Sequence, residues 1–493
     1  MLPAPLTIHR AKLSSLFAQF VPPTLQFVAK ECASMIETGP AAVAKIARVR
    51  MLMDLVTGLT ALQPELSARL IDNVFLFSIV WALGGILDAP SRLRFDAFLR
   101  KLARGESPPG YATAQSELAM PALELTHLWP AGSSVFDFIF STSREAWEPW
   151  ISASHSTEAL QLDKGVSNLL VPTIDTARYI FLAEVLVQQR RPCLLVGPTG
   201  VGKTAYVRHL LASLPASEWA APITMAFSGS TSAQATQAYI DGQLSKRCKG
   251  VFGTPDGKRC VVFIDDLNLP ALEVYGAQPT IELLRQALDT DQGWYNRTEH
   301  TFRRLEGLSF VCAMGPPGGG RNQISLRALR HFDVLGVPSL EDATLQQIFA
   351  AMLEPSLACL PAEYQRLSSA LAPAIVDVFS AACKGLLPTP SRSHYTFNTR
   401  DIAVVVQGIL LVPPTDFEQP SDLIMLCASQ CVSILRLVDR ALLLCLTLRL
   451  TQRLHDRDTS PHRDARSAAL LLRSPCGHGG PHAASCRDAL RLP

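Results

Sequence analysis

Apolar residues recur at helical spacing near the start of the chain, at Leu13, Leu16, Phe17 and Phe20, and again from Ala41 to Leu62. A repeat of three to four residues gathers one apolar stripe on a helix, so residues 1–105 are predicted to be helical. Pro, Ser and Gly then become frequent, and residues 106–165 read as a connector. It is interrupted by a short extended piece, Val135-Phe136-Asp137-Phe138-Ile139, and by Trp147-Glu148-Pro149-Trp150. From Val171 to Val337 the pattern changes to helices alternating with short apolar runs: Cys193–Val196, Ile223–Phe227, Val261–Ile264 and Leu308–Ala313. Runs without polar alternation are expected where both faces of a strand are covered. The helices between them supply the crossovers that parallel strands need. Residues 166–338 are thus predicted to form an α/β sandwich, a parallel sheet with helices on both faces. Residues 339–410 return to helix, as a small helical lid, and 411–493 form a divergent tail, Arg- and His-rich and then Gly- and Pro-rich after Gln452.

Composition narrows the class. The 493 residues are 48% hydrophobic and 18% charged with a net charge of +2, which is neither a disordered composition nor a basic nucleic-acid footprint. Mean hydropathy is +0.18, high enough to ask for membrane spans or covered surfaces. Val74 to Leu87 is the longest apolar run, at ~14 residues too short for the ~20 that a bilayer requires. Leu435 to Leu450 carries Arg436, Asp439, Arg440 and Arg449. Covered interfaces are the better reading, with no membrane and no nucleic acid as partner. Met1-Leu2-Pro3-Ala4-Pro5 lacks the basic and apolar regions of a signal peptide. Twelve cysteines follow no framework, and Cys193 and Cys312 lie in strand-like runs, which suits buried thiols in a reducing cytoplasm.

The chemistry concentrates in Gly197-Pro198-Thr199-Gly200-Val201-Gly202-Lys203-Thr204. This P-loop follows an apolar strand and precedes a helical stretch, the context in which backbone N–H groups and a helix N-terminus converge on phosphates. Lys203 is the candidate for the β- and γ-phosphates and Thr204 for Mg²⁺. Further on, Val261-Val262-Phe263-Ile264 leads into Asp265-Asp266. A buried strand of this kind delivers a carboxylate to the metal, with Asp265 on the metal side and Asp266 placed to orient an attacking water. The pair implies ATP or ADP with Mg²⁺ as cofactors.

Several longer stretches extend the picture: Lys249-Gly250-Val251-Phe252-Gly253, Phe263 to Pro270, Glu273-Val274-Tyr275-Gly276-Ala277-Gln278-Pro279, Phe310 to Asn322, and Leu329-Arg330-His331-Phe332. Together they resemble the third AAA+ module of an axonemal-type dynein heavy chain, over about 166 to 410. Phe75 to Gly85 and Arg94-Phe95-Asp96 resemble, more loosely, the helical end of the preceding module. The resemblance implies an AAA+ P-loop NTPase fold with a helical lid. It also implies a role in a microtubule-based motor of cilia or flagella, in the cytoplasm and axonemal cytoskeleton. Neighbouring modules of the same heavy chain are the implied partners, with microtubules and intermediate or light chains reached only through the complete motor. Two departures bear on hydrolysis: Asp266 stands where AAA+ hydrolases usually carry Glu, and Gly315 stands where a polar sensor residue is usual. They point to an ATP-binding, regulatory module with weak or no hydrolysis in isolation.

Other residues carry two readings each. Arg327 and Arg330 lie where such a module presents an arginine finger to its neighbour's nucleotide, or they pair with surface acids. Arg400, in Tyr395-Thr396-Phe397-Asn398-Thr399-Arg400-Asp401, resembles a lid-side arginine reaching the γ-phosphate, or it starts a helix beside a nearby acid. Val171-Pro172-Thr173 would lie near the adenine by resemblance, and Thr173 reads equally as a helix cap. Cys476, His478, His482 and Cys486 number enough for a zinc site, but their spacing matches no common pattern and they are read as incidental. Lys246-Arg247-Cys248-Lys249 reads as a solvated loop and Gly315 to Gly320 as a turn. No heptad stalk is found, and after Val412 the chain departs from the family, so it is expected to be a fragment or an altered gene model. A stand-alone AAA+ remodelling ATPase and a non-catalytic nucleotide-binding interaction fragment are the alternatives.

Overall fold

The computed structural model describes residues 9–33, 41–61, 70–106, 125, 127–141, 143–150, 170–289, 292–357, 362–389, 395, 397–412, 423, 426–427 and 429–430. Nearly all of the tail lies outside the described residues, including the Cys476, His478, His482 and Cys486 candidates and the run from Leu435 to Leu450. The chain divides into two compact units, residues 1–159 with 172–339 and residues 160–171 with 340–493.

In the first unit, helices Arg10–Glu31, Ala41–Ala61, Ile71–Ile79 and Ala89–Ala103 make up the N-terminal part. Every residue of Ile71–Ile79 is buried, and the chain continues through a buried π-helical turn, Val80–Gly84. The long apolar run is therefore the core of this helical layer, packed with Leu16, Phe20, Leu52 and Leu55. Among the described residues no helix is long and apolar enough to cross a membrane. Asp88 caps Ala89–Ala103 by accepting the Ser91 N–H at 2.9 Å, with proline in the first turn.

The segment read as a connector contains a 3₁₀ turn, Val135–Asp137, and an antiparallel hairpin of β1, Phe138–Ser141, and β2, Ala146–Pro149. Its aromatic residues are anchors. Trp150 Nε1 donates to Phe136 O at 3.0 Å, and Trp81 meets Phe136, Trp150 and Tyr179 edge-on at centroid distances of 5.5, 6.4 and 6.0 Å.

The remaining strands of this unit are β3 (Cys193–Val196), β4 (Ile223–Ala226), β5 (Ser245–Cys248), β6 (Val251–Gly253), β7 (Cys260–Asp265), β8 (Gly293–Tyr295), β9 (Phe302–Leu305), β10 (Leu308–Met314) and β11 (Asp333–Gly336). Five form one sheet in the order β11-β3-β10-β7-β4, every pair parallel. This is the predicted α/β architecture, with three corrections. β4 is an edge strand whose residues alternate between buried and less buried positions, so it is not covered on both faces. β11 was not predicted; Asp333 at its start and Gly336 at its end dilute the strand signal of a four-residue segment. Lys246-Arg247-Cys248 is solvated as expected but extended, within a second sheet of order β5-β6-β9-β8. A charged strand on an open face has no hydrophobic alternation by which to be recognised.

The helical layer is fastened to the sheet edge by Arg92, a buried guanidinium. Its Nε donates to Leu87 O at 3.1 Å, one terminal nitrogen donates to Tyr179 Oη at 3.2 Å, and the other to Gly85 O at 2.8 Å and Gly336 O at 2.7 Å. The Gly336 N–H returns a bond to Gly85 O at 3.0 Å. Below this joint, Asp333 pairs with Arg50 at 3.0 Å, and Arg50 and Arg191 both pair with Asp54. Burial pushes the Asp333 carboxyl up to about 7, with Arg50 opposing the rise and Asp54 adding to it.

The second unit is helical, with Asp342–Leu357, Ala362–Gly385 and Thr399–Leu410 around a core that includes Phe349, Leu353, Leu371, Ile375, Val405 and Val406. Asn398 and Asp401 form a reciprocal capping box at the start of Thr399–Leu410. Cys32, Cys193, Cys248, Cys260, Cys312 and Cys383 are free thiols. Burial raises Cys193 and Cys312 well above the ordinary thiol range.

Candidate functional site

The sheet register brings the sequence candidates together at one end. Val196, the last residue of β3, pairs with Met314, and Cys312 of the same strand pairs with Ile264 of β7. The P-loop, the Asp265-Asp266 pair and Gly315 therefore leave adjacent strands at the carboxyl edge, where ligands bind in open α/β sheets.

The loop from Gly197 to Lys203 is shaped by constraints that only glycine meets at two positions. A Cβ on Gly197 would lie 2.2 Å from Val337 O, so the backbone of β3 passes directly against the chain after β11. Gly202 caps helix Lys203–Ser213 with φ of 91°, in the left-handed region, and a Cβ there would meet the Tyr206 ring at 2.9 Å. Lys203 is buried, and its Nζ donates to Gly197 O at 2.8 Å and Pro198 O at 2.6 Å, folding the side chain back along the loop. Pro198 and Thr199 are exposed, Gly200 is half-buried with positive φ, and Val201 is buried as the anchor of the turn.

Thr204 Oγ1 donates to Asp265 Oδ2 at 2.7 Å, joining the helix after the loop to the end of β7. The other Asp265 oxygen accepts the Asp266 N–H at 3.0 Å. Asp266 itself has φ of 52°, a conformation that Asp tolerates better than most residues, and it turns the chain out of the sheet. A hydroxyl and a carboxylate held this close beside a phosphate-type loop form the oxygen donor set that Mg²⁺ takes with a nucleotide. The residues present fit the group.

The remaining candidates lie elsewhere. Arg327 and Arg330 are exposed on and just after the short helix Leu326–Leu329. The chain then enters β11 at Asp333, which pairs with Cys193 at the start of β3. Both arginines thus sit toward the opposite end of the sheet from this chain's own P-loop. Arg330 Nε meets His331 Nε2 at 3.2 Å, and Arg50 donates to the Arg330 carbonyl. Arg400 belongs to the second unit, exposed in the first turn of Thr399–Leu410, where its N–H donates to Asn398 Oδ1 at 2.8 Å. Thr173 is a helix cap: its hydroxyl accepts the Thr176 N–H at 3.2 Å. Val171 packs into the core of the second unit.

Residues 159–340 match the family described as the P-loop containing dynein motor region, and residues 13–152 match the dynein heavy chain AAA lid domain, together well over half of the chain. The chain belongs to the dynein heavy chain family. It is 36% identical over 434 residues to human dynein axonemal heavy chain 3, covering 85% of this chain and 10% of that protein. It is 35% identical over 435 residues to rat dynein axonemal heavy chain 12, covering 85% and 14%. It is 35% identical over 368 residues to the dynein-1-beta heavy chain of the flagellar inner arm I1 complex of Chlamydomonas reinhardtii, covering 74% and 8%. This dynein segment spans about a tenth of the length of such relatives. Its fold is the AAA+ P-loop sandwich with a helical lid, and the P-loop of that family is a nucleotide-binding element.

Sequence reasoning missed Asn268 and Arg321. Asn268 is buried; its Nδ2 donates to Gly315 O at 2.9 Å and its carbonyl accepts the Asn322 N–H at 2.9 Å, stitching the loop after β7 to the loop after β10. Arg321 Nη2 lies 3.5 Å from Asp266 Oδ1. Both residues were present in motifs that carried the resemblance, but no local pattern distinguishes them from ordinary loop residues.

Proposed function

We propose that this dynein segment binds ATP or ADP with Mg²⁺ at the P-loop and acts as a regulatory AAA+ module of an axonemal heavy chain. The observation that carries the proposal is the 2.7 Å contact between Thr204 Oγ1 and Asp265 Oδ2 at the carboxyl edge of a parallel sheet. Gly197, Pro198, Thr199, Gly200, Val201 and Gly202 supply the backbone cradle, and Lys203 the phosphate cation. Thr204 and Asp265 hold the metal, and Asp266 orients water. Held by Thr204 and Asp265, Mg²⁺ would supply neutralisation of the phosphate charge. Arg400 of the lid is assigned to the terminal phosphate, and Arg327 and Arg330 to the nucleotide of a neighbouring module.

Turnover in isolation is slow on this reading. The carboxylate of Asp266 is one methylene shorter than that of Glu, and Gly315 contributes no polar side chain. The module's nucleotide state would then bias its contacts with neighbouring modules, provided that two ring arrangements differ in affinity for it. Microtubules and accessory chains are partners of the complete motor, in the cytoskeleton of the ciliary or flagellar axoneme. Lys203→Ala tests the site by titration with a fluorescent ATP analogue in Mg²⁺. Binding by the wild type that is lost in the variant is expected; equal affinity in both refutes the assignment.

A further inference from the structure

The end of β10 lies between the P-loop and the Asp265-Asp266 pair, so a polar side chain there would face both. Residue 315 has none, yet its space is filled. A Cβ built on Gly315 would lie 2.5 Å from Arg321 Nε, 2.7 Å from its Cδ and 3.1 Å from its Cζ. The guanidinium of Arg321 rests where the side chain of residue 315 would begin.

The intervening loop is built to return it there. Gly318, Gly319 and Gly320 have φ of 118°, 58° and 85°, a succession of left-handed residues that side chains would oppose. Gly318 and Arg321 exchange two backbone hydrogen bonds of 3.1 Å, closing the turn. Immediately beyond it, the Asn322 N–H donates to Asn268 O at 2.9 Å and Asn322 Nδ2 donates to Pro270 O at 2.7 Å. The loop that carries Arg321 is thereby pinned to the loop that carries Asp266.

The guanidinium is under-used in this position. Its nearest charge is Asp266, at 3.5 Å, longer than a good charge-assisted hydrogen bond. Its Nε is buried, and no acceptor meets it among the described residues. A cation with five donors, held beside a phosphate-binding loop with a buried N–H unmatched, calls for an anionic oxygen ligand.

We propose that Arg321 is a further terminal-phosphate contact of this site, standing in through Gly315 for the side chain that β10 lacks. It exchanges its loose pairing with Asp266 for a closer one with the terminal phosphate of a nucleoside triphosphate. The site therefore distinguishes triphosphate from diphosphate through Arg321. This rests on the proposed nucleotide site at the P-loop.

The test is displacement of a fluorescent nucleotide by Mg-ATP and by Mg-ADP on the full chain, for wild type, Arg321→Ala, Arg321→Lys and Gly315→Ala. Gly315→Ala keeps the arginine but drives its guanidinium out of the space it occupies. Arg321→Ala and Gly315→Ala are expected to weaken ATP by at least about tenfold, the worth of one charge-assisted contact, while ADP changes less than about twofold. Arg321→Lys, which keeps the charge without the fork, falls between. Retained ADP binding also reports that the variants are folded. Equal loss of ATP and ADP, or no change in either, with the wild type binding both, overturns the role of Arg321 alone. A wild type that binds neither nucleotide overturns the P-loop reading as well.

Discussion

Replacing Arg92 by Met should loosen the joint between the helical layer and the sheet edge without disturbing the centre of the sheet. Arg92 donates four hydrogen bonds, all to neutral oxygens: Leu87 O, Tyr179 Oη, Gly85 O and Gly336 O. Its guanidinium also lies 4.9 Å from the centroid of the Phe136 ring. Hydrogen bonds to a charged donor contribute about 1.5 kcal/mol or more each, about 6 kcal/mol for four. Part of this is offset, because Met no longer has to bury a charge. Two acceptors also keep a second partner, Gly85 O from the Gly336 N–H and Gly336 O from Tyr179 Oη. The net loss should be about 3 kcal/mol, or about a hundredfold in the opening equilibrium. Hydrogen exchange of the full chain reads this locally, in peptides covering Asp333 to Val337, and needs no two-state unfolding. Protection there should fall about a hundredfold while peptides covering Val261 to Ile264 hold theirs. A fall of less than about threefold would show that Arg92 does not hold the joint, and an equal fall in β7 would show that the effect is global.

Two further outcomes follow from the same geometry. Burial raises the folded-state Asp333 carboxyl from 3.8 to about 7, so folding takes up a proton between those values; the stability this gives is complete below about pH 4 and lost as pH rises through about 7. The wild-type melting temperature should therefore fall relative to Asp333→Asn between about pH 5 and about pH 8, and parallel curves would remove Asp333 as the cause. At the proposed nucleotide site, Asp266→Glu should raise phosphate release at saturating Mg-ATP by about tenfold or more, since the longer side chain would extend the carboxylate toward an attacking water. An unchanged or lower rate would show that the length of that side chain is not what slows the site.

The proposed nucleotide site was legible because its signals are local. Gly197, Gly202, Lys203 and Thr204 are consecutive or nearly so, and each is dictated by backbone conformation or by the start of a helix. Val261 to Ile264 announces a covered strand because both of its faces need apolar residues, and Asp265 follows from where that strand ends. That the chain returns to helix after Val337 was legible too, and the helices Asp342–Leu357, Ala362–Gly385 and Thr399–Leu410 are there.

What the tertiary structure alone decided rests on contacts between residues far apart in the chain. Arg92 is an unremarkable arginine in a helix until Gly336, 244 residues later, presents a carbonyl to it. β11 becomes a strand because β3 offers an unpaired edge, not because Asp333-Val334-Leu335-Gly336 has a strong strand preference. Of the connector's tryptophans, Trp150 gains its meaning from Phe136 and Trp81, and Trp147 from Phe140 and Trp129. Gly315 reads in sequence as a missing polar group, whereas in space its lack of a Cβ is what admits Arg321 beside Asp266. A residue-by-residue pattern records which side chains are present; which of them share one small volume is set by the path of the backbone between them.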